Sequence, residues 1–87
     1  MASPAERLLE GLYVVFQPIV DVSRRRVFAY EALVRSPSFP SPMVLFETAV
    51  GAGRCGELGR EIRKLAVVAA NGWPLFLNVH PQEFGEA

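Results

Sequence analysis

Four polar side chains stand in stretches that are otherwise largely apolar: Gln17, Glu31, Arg35 and Asn78. Glu31 and Arg35 belong to the run at residues 27–35, one of two apolar runs that flank a polar turn, and it reads as a strand. Successive side chains of a strand point to opposite faces, so Glu31, Leu33 and Arg35 share one face. Charges are rarely buried unless they are paired or bound to a metal or ligand. The two charges therefore read either as a structural ion pair or as part of a binding site. Asn78 is the fourth residue of Leu75-Phe76-Leu77-Asn78-Val79. An amide inside an apolar strand needs a partner if it is buried. Gln17 reads equally as a strand-end glutamine facing water and as a site residue.

The elements that must position these groups follow from the flanking sequence. Residues 12–20 are β-branched and aromatic and predict a first strand. The turn at 21–26 carries three consecutive arginines, and two apolar arms around it make a β-hairpin. A solvated turn explains the arginines better than nucleic-acid contact, because no basic or aromatic partners extend the patch. A register in which paired residue numbers sum to about 48 would set Gln17 opposite Glu31. A one-residue slip would put them on opposite faces, and the sequence leaves both open. Pro18 cannot donate to a sheet ladder, which points to an edge strand or a bulge.

Residues 36–42 hold three prolines and three serines and form a loop. Ser41 and Pro42 suit the N-cap and first position of a helix whose apolar stripe is Leu45, Phe46, Ala49 and Val50, ending at Gly51 and Gly53. A second helix over residues 56–70 has Leu58, Ile62, Leu65, Ala66 and Ala69 on one face. Its charged face carries Glu57, Arg60, Glu61, Arg63 and Lys64, with Glu57–Arg60 and Glu61–Lys64 as expected pairs. Asn71-Gly72 supplies a left-handed cap, and Pro74 prevents continuation. A third strand is expected over 75–79, ended by His80-Pro81, with a further helix starting near Gln82. Pro4 fits the start of a short helix over residues 4–10, with Ser3 as its cap and Gly11 as its stop. Residues before it are expected to fray. The order strand, strand, helix, helix, strand is an α/β arrangement. The link from the second strand to the third is long enough for a parallel crossover, giving a mixed three-stranded sheet with helices on one face.

The chain of 87 residues suffices for one small domain with a thin core. Its 51% hydrophobic content argues against disorder, and a net charge of zero draws it neither to nucleic acid nor to anionic lipid. One cysteine, Cys55, excludes an internal disulfide and reads as a buried, inert thiol. The amino-terminal residues lack the apolar core of a signal peptide, and no apolar run approaches about 18 residues. A cytoplasmic chain without a membrane partner is the expectation.

Three segments in order, Phe-Gln-Pro-Ile-Val-Asp at 16–21, Tyr-Glu-Ala-Leu-Val-Arg at 30–35 and Leu-Asn-Val-His-Pro at 77–81, resemble the opening third of an EAL domain. That family comprises cyclic di-GMP phosphodiesterases and their degenerate relatives. The resemblance runs from about residue 5 through the chain, with 1–11 as a tail and short helix and 12–87 as a truncated EAL-like domain. It implies a TIM-like barrel whose first strand runs antiparallel to the rest, here present as a β-β-α-α-β part. It also implies hydrolysis of cyclic di-GMP to a linear dinucleotide with Mg²⁺ or Mn²⁺. By that resemblance Glu31 and Asn78 would be metal ligands, Arg35 would hold a substrate phosphate and Gln17 would line the substrate site. Carboxylate and amide oxygens suit hard cations, and arginine matches phosphate oxygens.

A complete barrel of this kind needs about 250 residues and eight strands. The family's later metal-binding acids, catalytic lysine and closing glutamate have no counterpart here, and Lys64 lies outside any family motif. The expectation is thus a fragment of a cyclic di-GMP phosphodiesterase, inactive by itself. The alternative is a degenerate module that binds a protein partner, or the dinucleotide, without turnover. Open sheet edges and uncovered apolar faces predict self-association or a covering partner.

Overall fold

The computed structural model describes residues 3–85. Of the residues 1–3 expected to fray, 1 and 2 lie outside the described residues, as do residues 86–87 of the helix expected from Gln82. Strands β1 (Tyr13–Asp21), β2 (Arg26–Arg35) and β3 (Leu75–Phe76) form one sheet in the order β1-β2-β3. The first pair is antiparallel and the second parallel, with helices α1 (Pro42–Gly51) and α2 (Cys55–Ala70) in the crossover. Short 3₁₀ helices occupy Pro4–Arg7 and Pro81–Gly85. The chain is therefore a mixed α/β unit with a three-stranded mixed sheet.

The hairpin register pairs Tyr13 with Arg35 and continues through Gln17 with Glu31 to Ile19 with Ala29. Val20 then pairs with Val27, so Phe28 is the extra residue of a bulge. The turn is fixed by Asp21, whose Oδ1 accepts from the Ser23 hydroxyl at 2.7 Å and from the Arg24 N–H at 3.2 Å. Arg25 adopts a left-handed φ of 52°. Arg24, Arg25 and Arg26 are all exposed, as a solvated turn requires.

Pro18 sits on edge strand β1, opposite Tyr30. The Tyr30 N–H donates to the Pro74 carbonyl at 3.0 Å, away from β1. In an antiparallel ladder both members of a pair either exchange hydrogen bonds or both face outward. The Pro18 nitrogen thus faces the free edge, and the proline removes no ladder bond.

One face of the hairpin meets the helices. Leu8, Val34, Leu45, Ala49, Cys55, Leu58 and Ile62 form a buried cluster, with Val14 and Phe46 packed against it. Cys55 is fully buried there. α1 begins as its sequence requires, with the Ser41 hydroxyl accepting from the Val44 N–H at 3.2 Å. α2 ends at Asn71, whose φ and ψ of 50° and 47° are left-handed. No helix among the described residues is long and apolar enough to cross a membrane.

Four expectations are corrected. β3 stops at Phe76 and does not run to Val79. The first helix covers Pro4–Arg7 as a 3₁₀ turn, and Ser3 makes no side-chain cap bond. Ala69 is exposed, leaving Leu58, Ile62 and Ala66 as the buried part of the α2 stripe. Among the described residues the ion pairs of α2 are Arg54–Glu57 at 2.8 Å and Arg63–Glu83 at 2.7 Å, in place of Glu57–Arg60 and Glu61–Lys64. Arg54 is already fixed by donating to the Ala5 carbonyl at 2.6 Å, so its fork meets Glu57 without further ordering.

Candidate functional site

The face of the sheet opposite the helices carries the polar groups. Glu31 on β2 has Gln17 as its cross-strand partner on β1 and Phe76 as its partner on β3. Cross-strand partners share a face, so Gln17, Glu31 and Phe76 stand side by side. Asn78 lies two residues beyond Phe76, and its Nδ2 donates to Glu31 Oε2 at 3.0 Å. Glu31 is half-buried, while Gln17 and Asn78 are exposed. The sheet therefore brings together three of the four expected residues. Asn78 meets its partner although it is neither buried nor part of the ladder.

Arg35 stands apart. Four residues along a strand span about 13 Å, which separates Arg35 from Glu31 by far more than an ion pair allows. Its Nη1 donates to the Val34 carbonyl at 2.8 Å, and its cross-strand partner is Tyr13. No ion pair joins Glu31 to Arg35 among the described residues, which removes the structural-pair reading of this strand. Arg35 instead borders a cleft of about 320 Å³ with Tyr13, Ser36 and Phe39.

His80 has a structural place. Its ring stacks on Phe46 with centroids 5.4 Å apart and planes at 10°. Its Nδ1 accepts from the Gln82 N–H at 3.1 Å. Lys64 is exposed on α2, far in sequence from any of the three motifs.

Glu83 was missed by sequence reasoning. Its side chain is 6% exposed. One carboxylate oxygen accepts from Arg63 Nη1 at 2.7 Å and the other from the His80 N–H at 2.8 Å. The carboxylate occupies the space that a Cβ at Gly59 would fill. Gly59 was the available signal, because a glycine inside an amphipathic helix costs stability against alanine and leaves room for a neighbour.

The chemistry open to the Glu31 cluster is that of oxygen donors. Glu31 offers a carboxylate, and the amides of Asn78 and Gln17 offer one oxygen each, all suited to a hard cation or a hydrogen-bonding ligand. No group of three His, Cys, Asp or Glu side chains is assembled among the described residues. Comparison of the chain with protein-family models, curated proteins and solved structures gave no match.

Proposed function

We propose that this chain is part of an EAL-type cyclic di-GMP phosphodiesterase barrel, and that the hairpin and the segment after β3 carry one wall of its metal and phosphate site. The observation that carries the reading is the Asn78–Glu31 hydrogen bond of 3.0 Å, made across 47 residues by side chains from two separate motifs. An amide and a carboxylate that far apart in sequence meet on an open sheet face with Gln17 in register beside them. Packing does not require that convergence, since the groups are not sealed in a core.

The residue types fit a Mg²⁺ or Mn²⁺ ion in part. Glu31 and Asn78 would hold it, but such cations take about six oxygen ligands, and two from the protein leave the rest to water and substrate phosphate. A bound metal would polarise the phosphodiester and lower the pKa of an attacking water. Glu31 would orient the cluster as its negative group, Asn78 would fix the orientation of that carboxylate, and Gln17 would offer both a donor and an acceptor to the ligand. Arg35, about 13 Å along the same strand, is spaced to meet a different group of an extended ligand such as a dinucleotide phosphate. These residues include no general base set against a substrate, so the 87-residue chain binds without turning over.

The test is titration of cyclic di-GMP into the chain with Mn²⁺ by calorimetry, alongside an assay for the linear dinucleotide. Weak binding that Glu31→Ala abolishes, with no product, is the expected result. Absence of binding overturns the site. Turnover lost in Glu31→Ala overturns the claim that this chain is not catalytic.

A further inference from the structure

We propose that Glu83 is the positioning residue for Asn78. The inference concerns the same site, so its purpose rests on the reading above, whereas its geometry stands independently. The ladder between β2 and β3 ends at Phe76, so no sheet pairing holds the backbone of Asn78. Something else must aim its amide at Glu31.

The next fixed point along the chain is His80, two residues further on. Its N–H donates to Glu83 Oε2 at 2.8 Å, and its carbonyl accepts from the Glu83 N–H at 3.0 Å. Its ring lies flat on Phe46 of α1. The other oxygen of Glu83 takes Arg63 Nη1 of α2 at 2.7 Å. Glu83 thereby ties the segment to α2 while His80 ties it to α1. Residues 77–79 span only the gap between the ladder and this clamp, and a link of three residues reaches at most about 3.6 Å per residue. Asn78 is the middle of that link.

The clamp needs a carboxylate. Both oxygens accept, one from a guanidinium and one from a backbone N–H, and only an ionised carboxyl offers acceptors on both sides. A glutamine would turn an NH₂ toward one of two donors. The clamp also needs Gly59, because any side chain there would enter the space of the Glu83 carboxylate. Residues supporting a ligand in this way commonly change metal affinity without touching the metal.

The readout is the side-chain amide resonance of Asn78 in the ¹⁵N-labelled full chain, assigned with Asn78→Ser. Glu31→Gln marks how far the signal moves when its acceptor changes. Glu83→Gln and Arg63→Gln should each move it toward the position of a free amide, with the resonances of core residues such as Leu45 and Leu58 unchanged. Mn²⁺ alone serves as a second probe, and the concentration needed to broaden the Asn78 amide should rise about 10-fold in both variants. An Asn78 resonance that stays in place in both variants overturns the proposal. If the resonance moves while Mn²⁺ broadens nothing near Asn78 even in the parent chain, the positioning role is upheld and the metal reading fails.

Discussion

Gly59→Ala offers a test in which two effects of opposite sign compete. Alanine is more favourable than glycine inside a helix by about 0.8–1 kcal/mol, so on propensity alone the change stabilises α2. In this fold the new Cβ would fall on the Glu83 carboxylate, which must swing away. The carboxylate then gives up the Arg63 and His80 bonds, of 2.7 and 2.8 Å. Hydrogen bonds to charged groups contribute about 1.5–3 kcal/mol each. The Arg63 side chain is 33% exposed and regains water when released, so its share belongs at the low end of that range or below it. The loss is then about 2–3 kcal/mol against a gain near 1, and the variant is destabilised by about 1–2 kcal/mol. Denaturant unfolding at fixed protein concentration measures this directly. The decisive comparison is a double-mutant cycle with Glu83→Ala. With the carboxylate gone, Gly59→Ala should change sign and stabilise by up to about 1 kcal/mol. Stabilisation of similar size in both backgrounds would refute the claim that Glu83 occupies the gap.

Three further outcomes are expected. Ser41→Ala removes the acceptor of the Val44 N–H and should lower stability by about 1 kcal/mol in urea unfolding, with Ser41→Asp largely restoring it. The Asp21 carboxyl is held below its ordinary range by the Ser23 hydroxyl and the Arg24 N–H, and the Glu57 carboxyl by the Arg54 guanidinium. A carboxyl lowered by folding stabilises the fold above its unfolded pKa, so stability should fall as the pH drops below about 4, with a shallower fall in Asp21→Asn. Pro18 presents a ring in place of a donor on the free edge of β1, so Pro18→Val should increase self-association with concentration in light scattering, since edge prolines blunt strand-to-strand pairing.

The hairpin was legible because its signals are local. Two apolar runs and a polar turn announce two strands, Pro18 points to an edge or a bulge, and each signal acts over a few residues. The register was not settled by those signals, since a slip of one residue keeps the same pattern of strand-forming types while changing the face. What selects it is the burial of Val14 and Val34 against the helices, a tertiary effect. The extent of β3 was overestimated for a related reason. Leu75 to Val79 has strand composition throughout, but a strand exists only where a neighbour pairs with it, and here that pairing stops after two residues. The charged face of α2 misled in the same way. Pairs at i,i+3 within the helix looked sufficient, whereas Glu57 pairs with Arg54, which the Ala5 carbonyl holds in place, and Arg63 pairs with Glu83 beyond the helix.

The candidate site divides along this same line. Gln17 and Glu31, two of the three residues of the cluster, come together once packing against the helices fixes the hairpin register. Asn78 joins them only because the chain crosses two helices and is then held at His80 and Glu83. A polar residue inside an apolar run signals that something must meet it, but not what holds it there. That second condition lies in Gly59, Arg63 and Glu83, none of which sits in a motif that carries chemistry. Gly59 weakens the helix by about 1 kcal/mol relative to alanine. Its place directly beneath the Glu83 carboxylate explains that cost, and this links a weak helix former to the aim of an amide on the other face of the sheet. A glycine in a helix interior is therefore part of how this chain builds its site, by making room for the group that holds the residue that touches Glu31.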